Sequence, residues 1–107
     1  MFYHIVMMRF AAEADAEFHR QVETFSQRIR QECDGILHYD YCRNIAERGK
    51  SYEHVIISVF ESGAAHDRYQ VSSPHQAMKA YMTPFILDLV VCDNDLPHPA
   101  NIPQAPG

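Results

Sequence analysis

From Phe2 to Phe10 a period of two places His4, Val6, Met8 and Phe10 on one face and Tyr3, Ile5 and Met7 on the other. Both faces are largely apolar, so the segment reads as a strand at least partly covered on both sides. The period then changes. Phe18, Val22, Phe25, Ile29 and Cys33 recur at steps of four, three, four and four, with charged and amide side chains between them. That is the pattern of an amphipathic helix from about residue 15 to 33. Asp34-Gly35 ends it, glycine suiting the left-handed residue that follows a helix. Alternation returns from Ile36 to Ile45, with Leu37, Tyr39 and Tyr41 against Ile36, His38, Asp40 and Cys42. A polar turn over residues 46–51 leads to a third strand, Tyr52 to Phe60, in which His54, Ile56, Ser58 and Phe60 oppose Val55, Ile57 and Val59. The short turn makes these two strands an antiparallel hairpin.

Ser62-Gly63 opens a brief helix carrying Ala65 and Tyr69, which breaks at Ser72-Ser73-Pro74. Ser73 before Pro74 signals a new helix: serine caps an orphan N–H, and proline's fixed φ suits the first helical position. This helix runs to about Met82 with Ala77, Met78 and Tyr81 inward, and Thr83-Pro84 stops it. Ile86 to Cys92 makes a fourth strand, interrupted by Asp88. From Pro97 four prolines and no apolar periodicity indicate an extended tail, so residues 1–96 form one domain and residues 97–107 an appendage. The order strand, helix, strand, strand, helix, strand is the split βαβ of an α+β, ferredoxin-like fold, with helices on one face of a four-stranded antiparallel sheet. The other face is left open and apolar. The simplest remedy is a homodimer whose sheets pack face to face.

Composition narrows the partners. With 9 Lys and Arg against 14 Asp and Glu and a net charge of −5, the chain has no basic cluster for nucleic acid or an anionic membrane. No apolar run reaches the length of a membrane span, and the N-terminus reads as a strand rather than a leader. Cys33, Cys42 and Cys92, odd in number and set among apolar residues, read as reduced thiols and point to the cytoplasm.

Candidate chemistry gathers around residues 69–75. His75 falls in the first turn of a helix, where the dipole disfavours imidazolium and leaves a neutral ring able to accept a proton. Tyr69 lies six residues earlier, across the break, where a short connection folds its hydroxyl back towards the imidazole as an acid/base pair; the alternative is that Tyr69 packs under the connection and His75 hydrogen-bonds a carbonyl. If the even face of the third strand meets the helices, His54 lies inside, and His4 shares that face in the first strand. The four polar groups then converge on a cavity lined by Phe18, Val22, Phe25, Ile56, Met78, Leu89 and Val91, suited to a small apolar or aromatic carbonyl ligand. Metal binding by His4, His54 and His75 has the right ligand types, but the spacing matches no recognised site, and no metal is expected. His19, His38, His66 and His98 read as surface or structural, and Asp93 and Asp95 as solvated strand-end groups.

The sequence resembles the stress-responsive α/β-barrel (Dabb) domain family. The resemblance rests on His4-Ile5-Val6 leading into a strand, Tyr52-Glu53-His54-Val55-Ile56, Tyr69 followed six residues later by Pro74-His75-Gln76, and the closing Leu89-Val90-Val91-Cys92-Asp93. It implies ferredoxin-like protomers paired through their sheets into a dimeric α/β-barrel. It also implies, by similarity to a plant polyketide cyclase of the family, that His75 acts as general base oriented by Tyr69, with His4 and His54 in the pocket and no cofactor. Ser72 and Ser73 stand where the family has a histidine before its proline, and Ile86 stands near a pocket tryptophan this chain lacks. The substrate therefore does not carry over. Two functions follow from the resemblance: a cofactor-independent cyclase- or isomerase-like enzyme, or a dimer that binds a small ligand without chemistry.

Overall fold

The computed structural model describes residues 1–97; the expected Pro-rich tail, Pro97 apart, and His98 lie outside the described residues. Strand β1 (Phe2–Phe10) is followed by helix α1 (Ala16–Glu32), strands β2 (Ile36–Arg43) and β3 (His54–Phe60), helices α2 (Gly63–Gln70) and α3 (Ser73–Met82), and strand β4 (Ile86–Asp95). The strands form one antiparallel sheet in the order β2-β3-β1-β4. This is the α+β, ferredoxin-like arrangement that the element order predicts.

Each helix begins on a side-chain cap. Asp15 accepts from the N–H of Phe18 at 2.9 Å, Ser62 from Ala65 at 3.2 Å and Ser72 from His75 at 3.4 Å, satisfying donors the first turn cannot pair internally. The cap of α3 is thus Ser72, one residue earlier than the Ser-Pro signal suggests, and Ser73 and Pro74 fill the first two helical positions. The Ser72 hydroxyl also donates to the Tyr69 carbonyl at 2.7 Å, tying the end of α2 to the start of α3. Pro84 does not stop the chain abruptly, because a single 3₁₀ turn over Thr83–Phe85 leads into β4.

The helices cover the even-numbered face of β1. Met8, Phe18, Val22, Ile29, Tyr39, Ile56, Phe60, Ala65, Tyr69, Met78 and Met82 make the core between layers. On α3 the buried residues are Pro74, Met78 and Met82, while Tyr81 is half-buried and stacks on Phe18. In β2 a register shift between Ile36 and His38 leaves Leu37 unpaired and exposed, so Ile36 joins the core and Leu37 does not, the reverse of strict alternation. The opposite sheet face carries Tyr3, Ile5 and Met7 of β1, Val55, Ile57 and Val59 of β3, and Val90 and Cys92 of β4. No helix covers it. Of these, Ile57 is 38% and Val90 49% exposed, so the face is a contiguous apolar surface rather than scattered residues.

Gly35 joins α1 to β2 with φ at +79°, and a Cβ there would sit 2.7 Å from the Cβ of Ala65. Both the left-handed backbone and the close approach exclude a side chain. Gly35→Ala should lower stability by about 2–4 kcal/mol, the sum of the backbone and overpacking costs. The measurement is the denaturant midpoint at unchanged slope; an unchanged midpoint would show that α2 retreats without penalty.

Candidate functional site

A cavity of about 270 Å³ opens between α3 and the β1–β4 side of the sheet. That is nearly twice the roughly 150 Å³ of an engineered core cavity that holds benzene, and at the lower end of small-molecule pockets. Val6, Met8, Ile56, Met78, Met82, Ile86, Leu89 and Val91 supply its apolar wall, and His4, Tyr69, Gln70 and His75 its polar groups. Lys79, Thr83, Leu89 and Val91 are exposed and form the open side.

His75 is held by the backbone. Its Nδ1 lies 3.0 Å from the carbonyl oxygen of Gln70. A carbonyl only accepts, so Nδ1 carries the proton and Nε2 is the basic nitrogen of the neutral ring. Burial lowers the pKa of His75, outweighing the opposing pull of that hydrogen bond, and the nearby Lys79, His4 and His66 lower it further. The ring is therefore a neutral base near pH 7, as its place at the start of α3 suggests.

Tyr69 packs its ring against His75, with centroids 4.3 Å apart, but its hydroxyl points elsewhere. It lies 3.0 Å from the hydroxyl of Tyr39, which in turn lies 3.8 Å from the sulfur of Met78. Burial drives the phenol pKa of Tyr69 up, so it remains protonated at any working pH. When Tyr39 donates to Tyr69, the Tyr69 proton is left for an acceptor in the cavity; when Tyr69 donates, the Tyr39 proton is free for Met78. Tyr69 thus offers a neutral hydrogen-bond donor and a packing surface for the imidazole, and the Gln70 carbonyl orients His75. Tyr39 was not singled out from the sequence, although it shares with Tyr41 the face of β2 that meets the helices.

His4 is 5% exposed and its Nδ1 lies 2.5 Å from Oδ1 of Asp93, which fixes its tautomer in the same way. Asp93 is therefore not simply a solvated strand end: the pairing of β1 with β4 sets it directly opposite His4. His66 is also buried, at 7% exposure, with its ring centroid 4.5 Å from that of His4. Burial and the neighbouring His4 lower its pKa. The signal for His66 was its spacing of three from Tyr69 on α2, which puts both on the inner face.

Of the residues expected in the cavity, Ile56, Met78, Leu89 and Val91 line it, together with His4, Tyr69 and His75. His54, Phe18, Val22 and Phe25 do not. His54 pairs with Met8, four residues along β1 from His4, so it sits about 13 Å away on the same face. Face parity could not reveal position along the strand. There His54 stacks on His19 at 4.1 Å and on Tyr41 at 5.3 Å beside a separate shallow depression, and His19 is bonded to the Tyr41 hydroxyl at 2.8 Å. Burial lowers the pKa of both histidines, and for His54 the proximity of His19 adds to it. Phe25 turns instead towards Tyr81, because α1 packs over β2 and against α3, away from β4.

The stress responsive A/B barrel domain (Dabb) family model matches residues 2–95. The chain belongs to this family. Among solved structures, a dimeric ferredoxin-like protein of unknown function from Thermobifida fusca is similar with a TM-score of 0.77 at 18% identity, over 89% of this chain and 90% of that one. A Dabb family protein with a ferredoxin-like fold from Mesorhizobium loti has a TM-score of 0.73 at 17% identity, over 91% and 97%. A hydroxynitrile lyase from Passiflora edulis has a TM-score of 0.76 at 16% identity, over 87% and 90%. These likenesses show the shared fold. No curated protein matches the sequence. Among the described residues of this Dabb domain, no helix is long and apolar enough to cross a membrane.

The depressed histidines set an acid limit on stability. Where a folded-state pKa lies below the unfolded value of 6.5, the unfolded chain binds more protons, so stability rises with pH through that window and is complete above it. His19, His54, His66 and His75 all act in this direction, each with a slope of at most about 1.4 kcal/mol per pH unit. Denaturation midpoints should fall steadily as pH drops below about 6.5, and the fall should be shallower in His54→Phe. Equal midpoints at pH 7.5 and 5.5 would contradict the desolvated, neutral state of these rings.

Proposed function

We propose that this Dabb protein is a homodimer whose cavity carries out cofactor-independent acid/base chemistry, cyclase- or isomerase-like, on a small carbonyl compound. The observation that carries the reading is His75: a half-buried imidazole on the wall of an apolar cavity, with Nδ1 committed to a backbone carbonyl and Nε2 left as base. Removing a proton beside a carbonyl needs a base that is unprotonated at the working pH, and the enolate that forms needs a hydrogen-bond donor. Tyr69 supplies the donor when its hydroxyl accepts from Tyr39, and His4, oriented by Asp93, is a second polar contact for the substrate. Met8, Ile56, Met78 and Met82, all buried, supply the apolar contacts, and Leu89 and Val91 border the opening. That a hydroxynitrile lyase shares the fold supports an enzymatic reading.

The test is solvent deuterium exchange into short alkyl and aryl 1,3-dicarbonyl compounds, which reports proton abstraction without requiring the physiological substrate. Wild-type protein should accelerate exchange above buffer. His75→Ala should abolish the acceleration while leaving the fold intact, and Tyr69→Phe should reduce it by roughly a hundred- to a thousandfold, the usual scale for one hydrogen-bond donor to a developing oxyanion. Because the His75 pKa is lowered from 6.5, the midpoint of the acid-side decline in rate should lie below that pH. Exchange that is equal in wild type and His75→Ala would remove His75 from any mechanism. A second reading, binding without chemistry, is favoured by one observation: the Tyr69 hydroxyl is bonded to Tyr39 and not to His75. Saturable binding of an aromatic carbonyl compound without any exchange would select it.

Self-association is proposed through the uncovered sheet face. A protein of this fold is described as dimeric, and the face bearing Ile5, Met7, Val55, Ile57 and Val90 has no helix over it among the described residues. Light scattering should give the mass of two chains for wild type and of one for Ile57→Asp, since a charge at the centre of an apolar interface is left unpaired. A dimeric Ile57→Asp protein would place the interface elsewhere.

A further inference from the structure

The fold gathers a set of metal-type ligands at one end of the cavity, different from the His4, His54 and His75 group that the sequence brings to mind. His4 from β1, His66 from α2 and Asp93 from β4 place one ligand atom each within 4.8 Å of one another. From these residues we infer that the chain carries a binding site for a divalent transition metal of the zinc class, made of two imidazoles and one carboxylate. This site is independent of the acid/base role of His75.

The donor set is chemically suited to zinc, which takes imidazole nitrogen and carboxylate oxygen at about 2.0–2.2 Å, so that ligand atoms in a tetrahedral site stand about 3.3 Å apart. His4 Nδ1 and Asp93 Oδ1 now lie 2.5 Å apart and would open by less than about 1 Å, the ion replacing the proton between them. The widest pair would close by about 1.5 Å, within reach of side-chain rotation. Two of the ligands are rigidly placed. His4 is fixed in the centre of the sheet, where its carbonyl accepts from the buried Ser58 hydroxyl at 2.6 Å, and its ring is enclosed by His66 and Tyr69. His66 lies between Phe2 and Phe60, and its Nε2 is 2.9 Å from the side-chain amide of Gln70. An outer partner on the second ring nitrogen is the arrangement that orients metal-bound imidazoles. Here the Gln70 amide nitrogen faces His66 Nε2, so ligation through Nδ1 requires a half-turn of that amide, which brings its oxygen inward to accept the Nε2 proton. Asp93 is partly exposed and gives the ion a route from solvent. Three protein ligands leave a fourth position for water or, because His4 lines the cavity, for a donor atom of a cavity ligand.

The experiment is titration of chelator-treated full-length protein with Co(II), followed by its visible d–d absorption, and with Zn(II) by calorimetry. One ion per chain and the intense absorption of a tetrahedral cobalt centre are expected. Asp93→Asn, a partly exposed position where the fold is not at risk, should weaken binding at least tenfold, and His66→Gln should do the same. His75→Gln should bind as wild type does. Absence of stoichiometric binding, or unchanged affinity in Asp93→Asn, would overturn the site. Loss of binding in His75→Gln would move the ion to the cavity floor and equally overturn it. Deuterium exchange by the chelator-treated protein reports on His75 separately, so the two readings can fail independently.

Discussion

Strand β1 pairs along its length with both β3 and β4, and this double pairing is the constraint on which the rest depends. Once it is made, parity decides which side chains face the helices. His4, Val6 and Met8 go under the helical layer and Tyr3, Ile5 and Met7 face away. The same register sets Asp93 opposite His4 and Met8 opposite His54. A slip of one residue would exchange the two faces and dismantle cavity, histidine pairs and apolar outer surface together. For the buried His4 ring that register delivers the partner, Asp93, and an unpaired buried polar group costs stability that a small domain does not have to spare.

The helical cover is narrower than the sheet. Helix α1 lies over β2 and beside α3, while β4 extends past the helices and stays exposed along nearly its whole length. The gap between α3 and β4 is the cavity. Function and packing are thus competing uses of one face, and the chain separates them lengthwise: a dense aromatic core around Phe18, Tyr81 and Phe85, and a looser region bounded by methionines, aliphatic residues and histidines.

Most of the architecture was legible in the residues. The change from a period of two to a period of 3.6, the Gly35 stop and the Ser-Pro break gave all the regular elements, with small shifts at their ends. The bulge at Leu37 was not legible, because strict alternation looks the same whether or not a residue is skipped. Of the site, Tyr69, His75 and His4 were found by their spacing and face and by resemblance. His54 was assigned the correct face but not its position along it, Asp93 was passed over because it meets His4 only when β1 and β4 pair, and the cue for His66, its spacing from Tyr69 on α2, is local but weak. The missing information lay in long-range register, which a single sequence encodes through packing rather than through any local signal.

The Gln70 carbonyl that holds His75 belongs to the last residue of α2. It is one of the terminal carbonyls that a helix leaves without an internal donor. The imidazole is therefore also the cap of that helix, and which of its nitrogens is basic is set by where the helix stops. Fraying of α2 by a single residue would let the ring turn and exchange its tautomers. The length of a short helix thus becomes a condition on proton chemistry, and a variant that lengthened α2 by one turn could silence the base without altering any side chain in the cavity.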